Sequence, residues 1–220
     1  MTTFNLKQVL DFLYDLQINN NRPWFEEHKE AYNEAKITFE GFVNALIQRL
    51  SAYEDLSGVT ARGSIMRIYR DIRFSKDKTP YKSCMTAHIA SRGKKSGSLG
   101  FGIRLAPLDS GAAGGLWDPS PEQLAKFRNG VDRNKDKLLD LVKTPDFMKY
   151  FGSIQGEKLK TAPKGYAKDH PAAEILKLKQ VYVFRTFTDE AVLADDFVDQ
   201  LVTTYVAMKP FLDYLNNAII

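Results

Sequence analysis

This sequence has almost no cysteine and no long apolar run, which argues against disulfide-rich and membrane-spanning proteins. The 220 residues contain a single cysteine, Cys84, so no intramolecular disulfide can form. No run of about eighteen apolar residues is present, which argues against an ordinary transmembrane helix. The N-terminus has the pattern of an amphipathic helix rather than of a signal peptide. We therefore expect a reducing, cytoplasmic location and no membrane partner.

Residues that bind metals or cofactors are also scarce. The three histidines, His28, His88 and His170, are far apart and form no ligand pair at helical spacing, which argues against a zinc site. No local signature marks Cys84 as a nucleophile. The glycine-rich residues 111–117 match neither the Walker pattern nor the dinucleotide fingerprint, and they are either a weak phosphate platform or a tight strand connection. We expect no metal and no cofactor.

The residues that are present suit a globular α+β protein. Hydrophobic residues make up 44% of the chain and aromatic residues 12%, and the length fits a single domain over residues 1–220. Apolar residues at helical spacing predict helices that start at Asn5, at Pro23 (running to about Tyr53), at Ser120 and at Thr188. We therefore expect helices at both ends of the chain, and the oligomeric state stays open.

Between these helices the apolar spacing changes to strict alternation, which is typical of strands. The predicted strands are at residues 66–74, 84–89, 99–105, 111–117 and 181–187. A flexible basic turn, Arg92 to Ser98, separates the second and third of them. Short turns at even spacing predict a mainly antiparallel sheet, flanked by the N-terminal and C-terminal helices.

One segment, RIYRDIRFSKDKTPYKS at residues 67–83, has a large local surplus of positive charge. Between Arg67 and Lys82 it has six cations and two acids, and this surplus equals the formal net charge of +4 for the whole protein. Basic patches mark sites for anions better than net charge does. The segment is therefore the first candidate for a binding site.

Strand spacing gives this segment an internal conflict. On a straight strand Arg67 and Tyr69 share a polar face, and Arg70 falls on the apolar face beside Ile68. A buried guanidinium without a partner costs too much free energy to persist. Either Arg70 meets a carboxylate, or the strand ends near Tyr69 and the following residues curl so that several arginines converge.

The functional interpretation is an anion cradle, which would bind a phosphorylated or other anionic small molecule such as a nucleotide. The candidate anion-binding residues are Arg67, Arg70, Arg73 and Lys78, because guanidinium groups match phosphate geometry and lysine adds a mobile charge. The alternative is a structural or protein-interaction domain in which the same residues form a buried ion-pair network.

Three further residues are candidates for catalysis, although whether the protein is an enzyme stays open. They are His28, Asp71 and Tyr81. Asp71 would orient the arginines through paired hydrogen bonds, and Tyr81 or His28 would supply a proton.

A second basic loop, Lys158 to His170, supports a less favoured alternative. Its lysines alternate with Tyr166, a pattern that suits contact with a nucleic-acid backbone and stacking on a base. If this loop and the arginine segment lie side by side, they would form one continuous basic strip and the protein would be a nucleic-acid-binding module.

The arginine segment also carries a resemblance. The string R-x-x-R-D-x-R-F-x-x-D-K-x-x-Y, from Arg67 to Tyr81, resembles the signature of the uncharacterised domain-of-unknown-function family 2461. Residues 22–32, 114–128 and 162–179 resemble family segments too, so the likeness covers most of the chain. The resemblance implies no activity, substrate or catalytic residue. A signature made of Arg, Asp, Lys and Tyr does, however, favour a functional anion site over a solvated strand face.

Overall fold

The computed structural model describes residues 4–91, 93 and 98–219 of the chain, and they have an α+β architecture. The strands are Met85–Ile89 (β1), Phe101–Leu105 (β2), Ser110–Leu116 (β3) and Val181–Phe187 (β4). They pair antiparallel in the order β1-β2-β3-β4. The predicted antiparallel meander is therefore confirmed. Most of the predicted basic turn at Arg92 to Ser98 lies outside the described residues.

The helices before the sheet form an N-terminal layer. They are α1 (Leu6–Ile18), α2 (Arg22–Glu27), α3 (Lys29–Leu50) and the short α4 (Ala61–Ser64). The prediction of one long helix from Pro23 is wrong, because the helix is interrupted at His28. The His28 backbone has φ −101° and ψ 24°, and its ring Nδ1 donates to the Trp24 carbonyl oxygen at 2.8 Å. The Trp24 carbonyl oxygen also accepts from the His28 backbone N–H at 3.0 Å, so the imidazole adds a second bond to the turn that ends α2.

The strand predicted at residues 66–74 is also wrong. Within the described residues this segment makes one isolated bridge, from Tyr69 to Tyr81, and a second bridge joins the preceding residue, Ile65, to Ala87. The last pairing bond is donated by the Arg70 backbone N–H to the Pro80 carbonyl oxygen at 2.9 Å. Beyond Arg70 the residues bond among themselves, so the chain curls. The sequence offered this alternative, in which the strand ends near Tyr69.

The remaining helices follow β3. They are α5 (Pro121–Arg133), α6 (Lys135–Leu141), α7 (Pro145–Phe151), α8 (Ala173–Leu176), α9 (Asp189–Leu193) and α10 (Phe197–Ile219). The predicted start at Ser120 is confirmed, since its hydroxyl accepts from the Gln123 N–H and the Gln123 side chain accepts from the Ser120 N–H. The helix predicted from Thr188 is two helices, α9 and α10. None of the helices in the described part of the chain is long and apolar enough to cross a membrane.

Helix α10 contacts α3, α5, α7 and β3 and so ties the layers together. Phe197 stacks on Phe42 of α3, with ring centroids 5.7 Å apart. The glycines of β3 permit the close approach of α10, because a Cβ on Gly114 would lie 2.3 Å from the Met208 sulfur. This packing supports the structural interpretation of the glycine-rich stretch. Near the other edge, α4 contacts both α3 and β1, which holds residues 65–69 beside α3.

Candidate functional site

Arg70 holds together residues 71–79, which we call the signature loop. Its guanidinium donates to the Asp77 carboxylate at 2.5 Å, to the Thr79 carbonyl oxygen at 3.1 Å and to the Thr79 hydroxyl. Asp77 also accepts from the Thr79 N–H and hydroxyl. These bonds, chiefly those from Thr79 and then that from Arg70, lower the pKa of Asp77 to about 2. The conflict at Arg70 is thus resolved by a carboxylate as well as by the curl of the chain.

The other charges of the signature loop pair in the same way. Arg73 makes a two-pronged contact with Asp71, at 2.9 Å from Nε and 2.6 Å from the terminal nitrogen. This contact lowers the pKa of Asp71. The Lys78 ammonium donates to the Ile72 carbonyl oxygen at 3.0 Å. The structure therefore gives Arg70, Arg73 and Lys78 internal partners, and their role in anion binding stays a prediction, as does the catalytic role of Asp71.

Arg67 differs from these three cations. Within the described part of the chain its side chain has no hydrogen bond or ion pair, and it lines a cavity of about 370 Å³. We call this cavity the Arg67 groove; it lies between α3, α4 and residues 65–69. Lys36 of α3 and Arg62 of α4 line it too, and neither has an ionic partner among the described residues. Three cations thus face the single carboxylate of Glu40.

The Arg67 groove has an apolar floor beneath this charged rim. Phe39, Ile68 and Met85 are buried and line it. Cys84 also lies there, and burial raises the pKa of its thiol despite the nearby Arg104. The thiol is therefore neutral near pH 7. An apolar surface beside charged groups lowers the local dielectric constant and so strengthens their attraction for an anion.

Tyr69 lines both the Arg67 groove and a second cavity, of about 310 Å³. The Lys29 ammonium lies 3.4 Å from the Tyr69 hydroxyl and 3.5 Å from Glu26, and it sits 4.9 Å from the centre of the Phe25 ring. The hydrogen bond with Tyr69 raises the pKa of Lys29. A permanent ammonium therefore stands beside a half-exposed phenol at the junction of the two cavities.

Tyr81 lies beneath this junction. Its ring is 3% exposed and stacks on Phe25 with centroids 3.9 Å apart. The Asn20 side chain holds the Tyr81 backbone through two hydrogen bonds, of 3.1 and 2.9 Å. Burial, with added effects of Tyr69 and Glu26, raises the pKa of Tyr81. The phenol therefore keeps its proton at neutral pH, which suits a donor better than a base.

A comparison with protein families identifies the family of this chain. The family model described as "Conserved hypothetical protein (DUF2461)" matches residues 8–214. The chain belongs to this family. The matched region includes the signature loop, the Arg67 groove and the Tyr69 junction, so the arrangement described above lies inside the family domain. No curated protein and no solved structure matches the chain.

His28 does not join the signature residues. It stacks on Trp24 with ring centroids 4.1 Å apart and lines a different cavity, together with Asp11 and Phe12 of α1. No signature residue lines that cavity within the described ranges. Its catalytic role stays a prediction without a geometric link to the other candidate residues.

The second basic loop, residues 158–170, packs elsewhere. The Tyr166 hydroxyl donates to Asn129 of α5 at 2.9 Å, and His170 lies 3.3 Å from Asp132 of the same helix. Of the hydrogen bonds and ion pairs in the described residues, none joins this loop to the signature loop. The two basic segments are thus held by different parts of the fold.

Sequence reasoning found Arg67 but missed the other two cations of the groove. Lys36 follows Tyr32 by four residues and so shares its helix face, a spacing that could have drawn attention to it. Arg62 carries no such signal, because its place beside Arg67 depends on how α4 packs. Lys29 was missed for a similar reason, since its partner Tyr69 is distant in sequence.

Proposed function

We propose that this protein binds a phosphorylated or similarly anionic small molecule in the Arg67 groove. The observation that carries the proposal is the set of three cations, Lys36, Arg62 and Arg67, that face one carboxylate without ionic partners among the described residues. Cations whose charge is already neutralised by an internal acid offer less to a ligand. Among the described residues none of these three is hydrogen-bonded to an acid, although Arg67 is close enough to Asp71 to help lower the pKa of that carboxyl.

The size and lining of the groove support a ligand of modest size. Small-molecule sites usually enclose about 300–1,000 Å³, with apolar walls and a few convergent polar groups. The Arg67 groove, at about 370 Å³, fits the lower part of that range. In our proposal Arg62 and Arg67 hold the anionic group, Lys36 adds charge, and the Tyr69 hydroxyl contacts the far end of the ligand.

The residues of the signature loop take a supporting part in this proposal. Arg70, Arg73, Lys78 and Asp71 fix the loop, and the loop with its Tyr69–Tyr81 pairing fixes the wall of the groove. Anion binding should therefore depend directly on Arg67 and only indirectly on Arg70.

A thermal-shift titration tests the proposal with inorganic phosphate, sugar phosphates and nucleotides as ligands. At least one should stabilise the protein, and Arg67→Ala or Arg62→Ala should weaken its binding by about 10-fold, the equivalent of about 1.4 kcal/mol. Arg133→Ala is the matched control, because Arg133 is an exposed arginine away from the groove. Absence of any stabilising ligand, or equal binding by all the variants, would refute the proposal.

A further inference from the structure

Phe74, in the signature loop, is a large apolar side chain that the fold leaves in solvent. It is 95% exposed, more than any other exposed large hydrophobic residue in the described ranges. Single exposed apolar residues are common, but they usually lie flat on the surface with part of their area covered. A phenyl ring with almost no cover contributes nothing to the core, so its place in the loop calls for another explanation.

Hydrogen bonds and ion pairs fix the signature loop on both sides of Phe74. On one side of Phe74, Arg73 is paired with Asp71. On the other side, Asp77 is bonded to Arg70 and to Thr79. Lys78 closes the loop by donating to the Ile72 carbonyl oxygen. Ordering a loop costs conformational entropy, and in this loop the bonds of Arg70 with Asp77 and Thr79 offset part of that cost around a residue that is almost wholly exposed.

Cations are frequent in the sequence around Phe74, and one of them lies close to its ring. The Arg73 guanidinium lies 5.9 Å from the centre of the Phe74 ring, and its side chain is 76% exposed although it is paired with Asp71. Lys76 is exposed and has no ion pair among the described residues. Over residues 70–82 five cations stand against two acids. An aromatic face flanked by cations is the combination that single-stranded nucleic-acid sites use, with bases on the ring and phosphates on the cations.

This surrounding charge distinguishes a nucleic acid from a protein partner. The cores of protein interfaces are depleted of charged residues, lysine among them. The sequence neighbours of Phe74 are Arg73 and Ser75, followed by Lys76, which stay hydrated and match a phosphate backbone better than an apolar pocket. We propose that the signature loop contacts single-stranded nucleic acid, with one base stacked on Phe74 and the backbone beside Arg73, Lys76 and Lys78. This proposal is independent of the Arg67 groove.

Fluorescence anisotropy with a labelled strand of about sixteen thymidines, at low salt, tests the inference. The strand should bind, the affinity should fall steeply with added salt, and Phe74→Ala should weaken binding by about 10-fold, within the range for loss of one stacked base. Phe74→Tyr should bind as the unmodified protein does, because it keeps an aromatic face. Circular dichroism should show both variants folded, since the ring packs on nothing.

Leu108→Ala is the matched control for apolar surface, because Leu108 is 88% exposed and lies in a different turn. Its affinity for the strand should be unchanged. No binding at low salt would overturn the inference, and so would binding that Phe74→Ala leaves intact. Binding of polyglutamate that depends on Phe74, without binding of the strand, would also overturn it in favour of an acidic protein partner. Loss of phosphate binding in the Arg67 groove would not affect this result.

Discussion

The three arginines of the signature sequence have different partners, and the partners set what each can do. Arg70 is one-quarter exposed and donates to Asp77 and to Thr79. Arg73 is mostly exposed and pairs with Asp71 alone. Arg67 has no hydrogen-bond or ion-pair partner within the described residues and lines a groove. Similar side chains in one short segment thus serve loop structure, surface charge and a candidate site.

Replacing these arginines one at a time should separate the roles. Arg70→Ala should lower the free energy of unfolding by about 1–3 kcal/mol, because Asp77 and Thr79 lose a charged hydrogen-bond partner. Arg73→Ala should leave stability almost unchanged, since exposed pairs contribute little. Urea denaturation followed by circular dichroism measures both. If Arg70→Ala cost as little stability as Arg73→Ala, Arg70 would not be a structural residue of the loop.

Asp77 should make the protein sensitive to acid. Its pKa is about 2 in the folded protein, against about 3.9 in an unfolded chain. A depressed pKa stabilises the folded state above the unfolded pKa, and this contribution is lost as the pH falls toward 2. Asp77→Asn should therefore lose less stability than the unmodified protein between about pH 5 and pH 2.5.

Urea midpoints at several pH values measure this difference. Asp118→Asn is the control, because Asp118 is exposed and has no hydrogen bond or ion pair in the described ranges, so its pH profile should follow that of the unmodified protein. Identical profiles for Asp77→Asn and Asp118→Asn would contradict the prediction.

At the scale of whole elements, the sequence predicts the helices and strands whose apolar residues keep a single helical or strand spacing, and the helix starts that carry a capping residue. The strand at residues 181–187 and the helix start at Ser120 are found where expected. The strand at residues 66–74 is absent, because pairing ends at Arg70 and the chain then curls, which leaves Phe74 in solvent although it alternates like a core residue. The break at His28 was not foreseen either. It is a change of backbone dihedral angles at a single residue, which a hydrophobic period does not report.

The glycines of β3 offer a test of element packing. Gly115 has φ +128°, and a Cβ there would lie 2.3 Å from the Val181 carbonyl oxygen of β4. Gly152, after α7, also has positive φ, at +68°, but has nothing within 4 Å of its Cβ position. Gly152→Ala should therefore cost only the backbone strain of the γ-turn at that residue, and Gly115→Ala should cost clearly more because the sheet must also move.

Thermal or urea unfolding of the two alanine variants decides this point. A loss at Gly115 no larger than that at Gly152 would show that β3 and β4 yield to the added methyl group. In that case the glycine-rich sequence would need an explanation other than close packing.

At the scale of the whole molecule, the Arg67 groove is formed by segments that are separate in the sequence. Lys36 comes from α3, Arg62 from α4 and Arg67 from the chain that enters the signature loop. Composition showed where the charge is concentrated, and alternation showed that Arg70 needed a partner. Neither could show which cations would remain without partners, because that depends on how α3 and α4 pack against residues 65–69.

The most direct test of the proposed function is to locate a bound anion in a crystal of the protein soaked with tungstate, a phosphate mimic that scatters anomalously. Our account predicts an anomalous peak in the Arg67 groove within hydrogen-bonding distance of Arg62 and Arg67, and no such peak in crystals of Arg67→Ala. Tungstate bound only beside Arg70 or Arg73, with nothing in the groove, would contradict it.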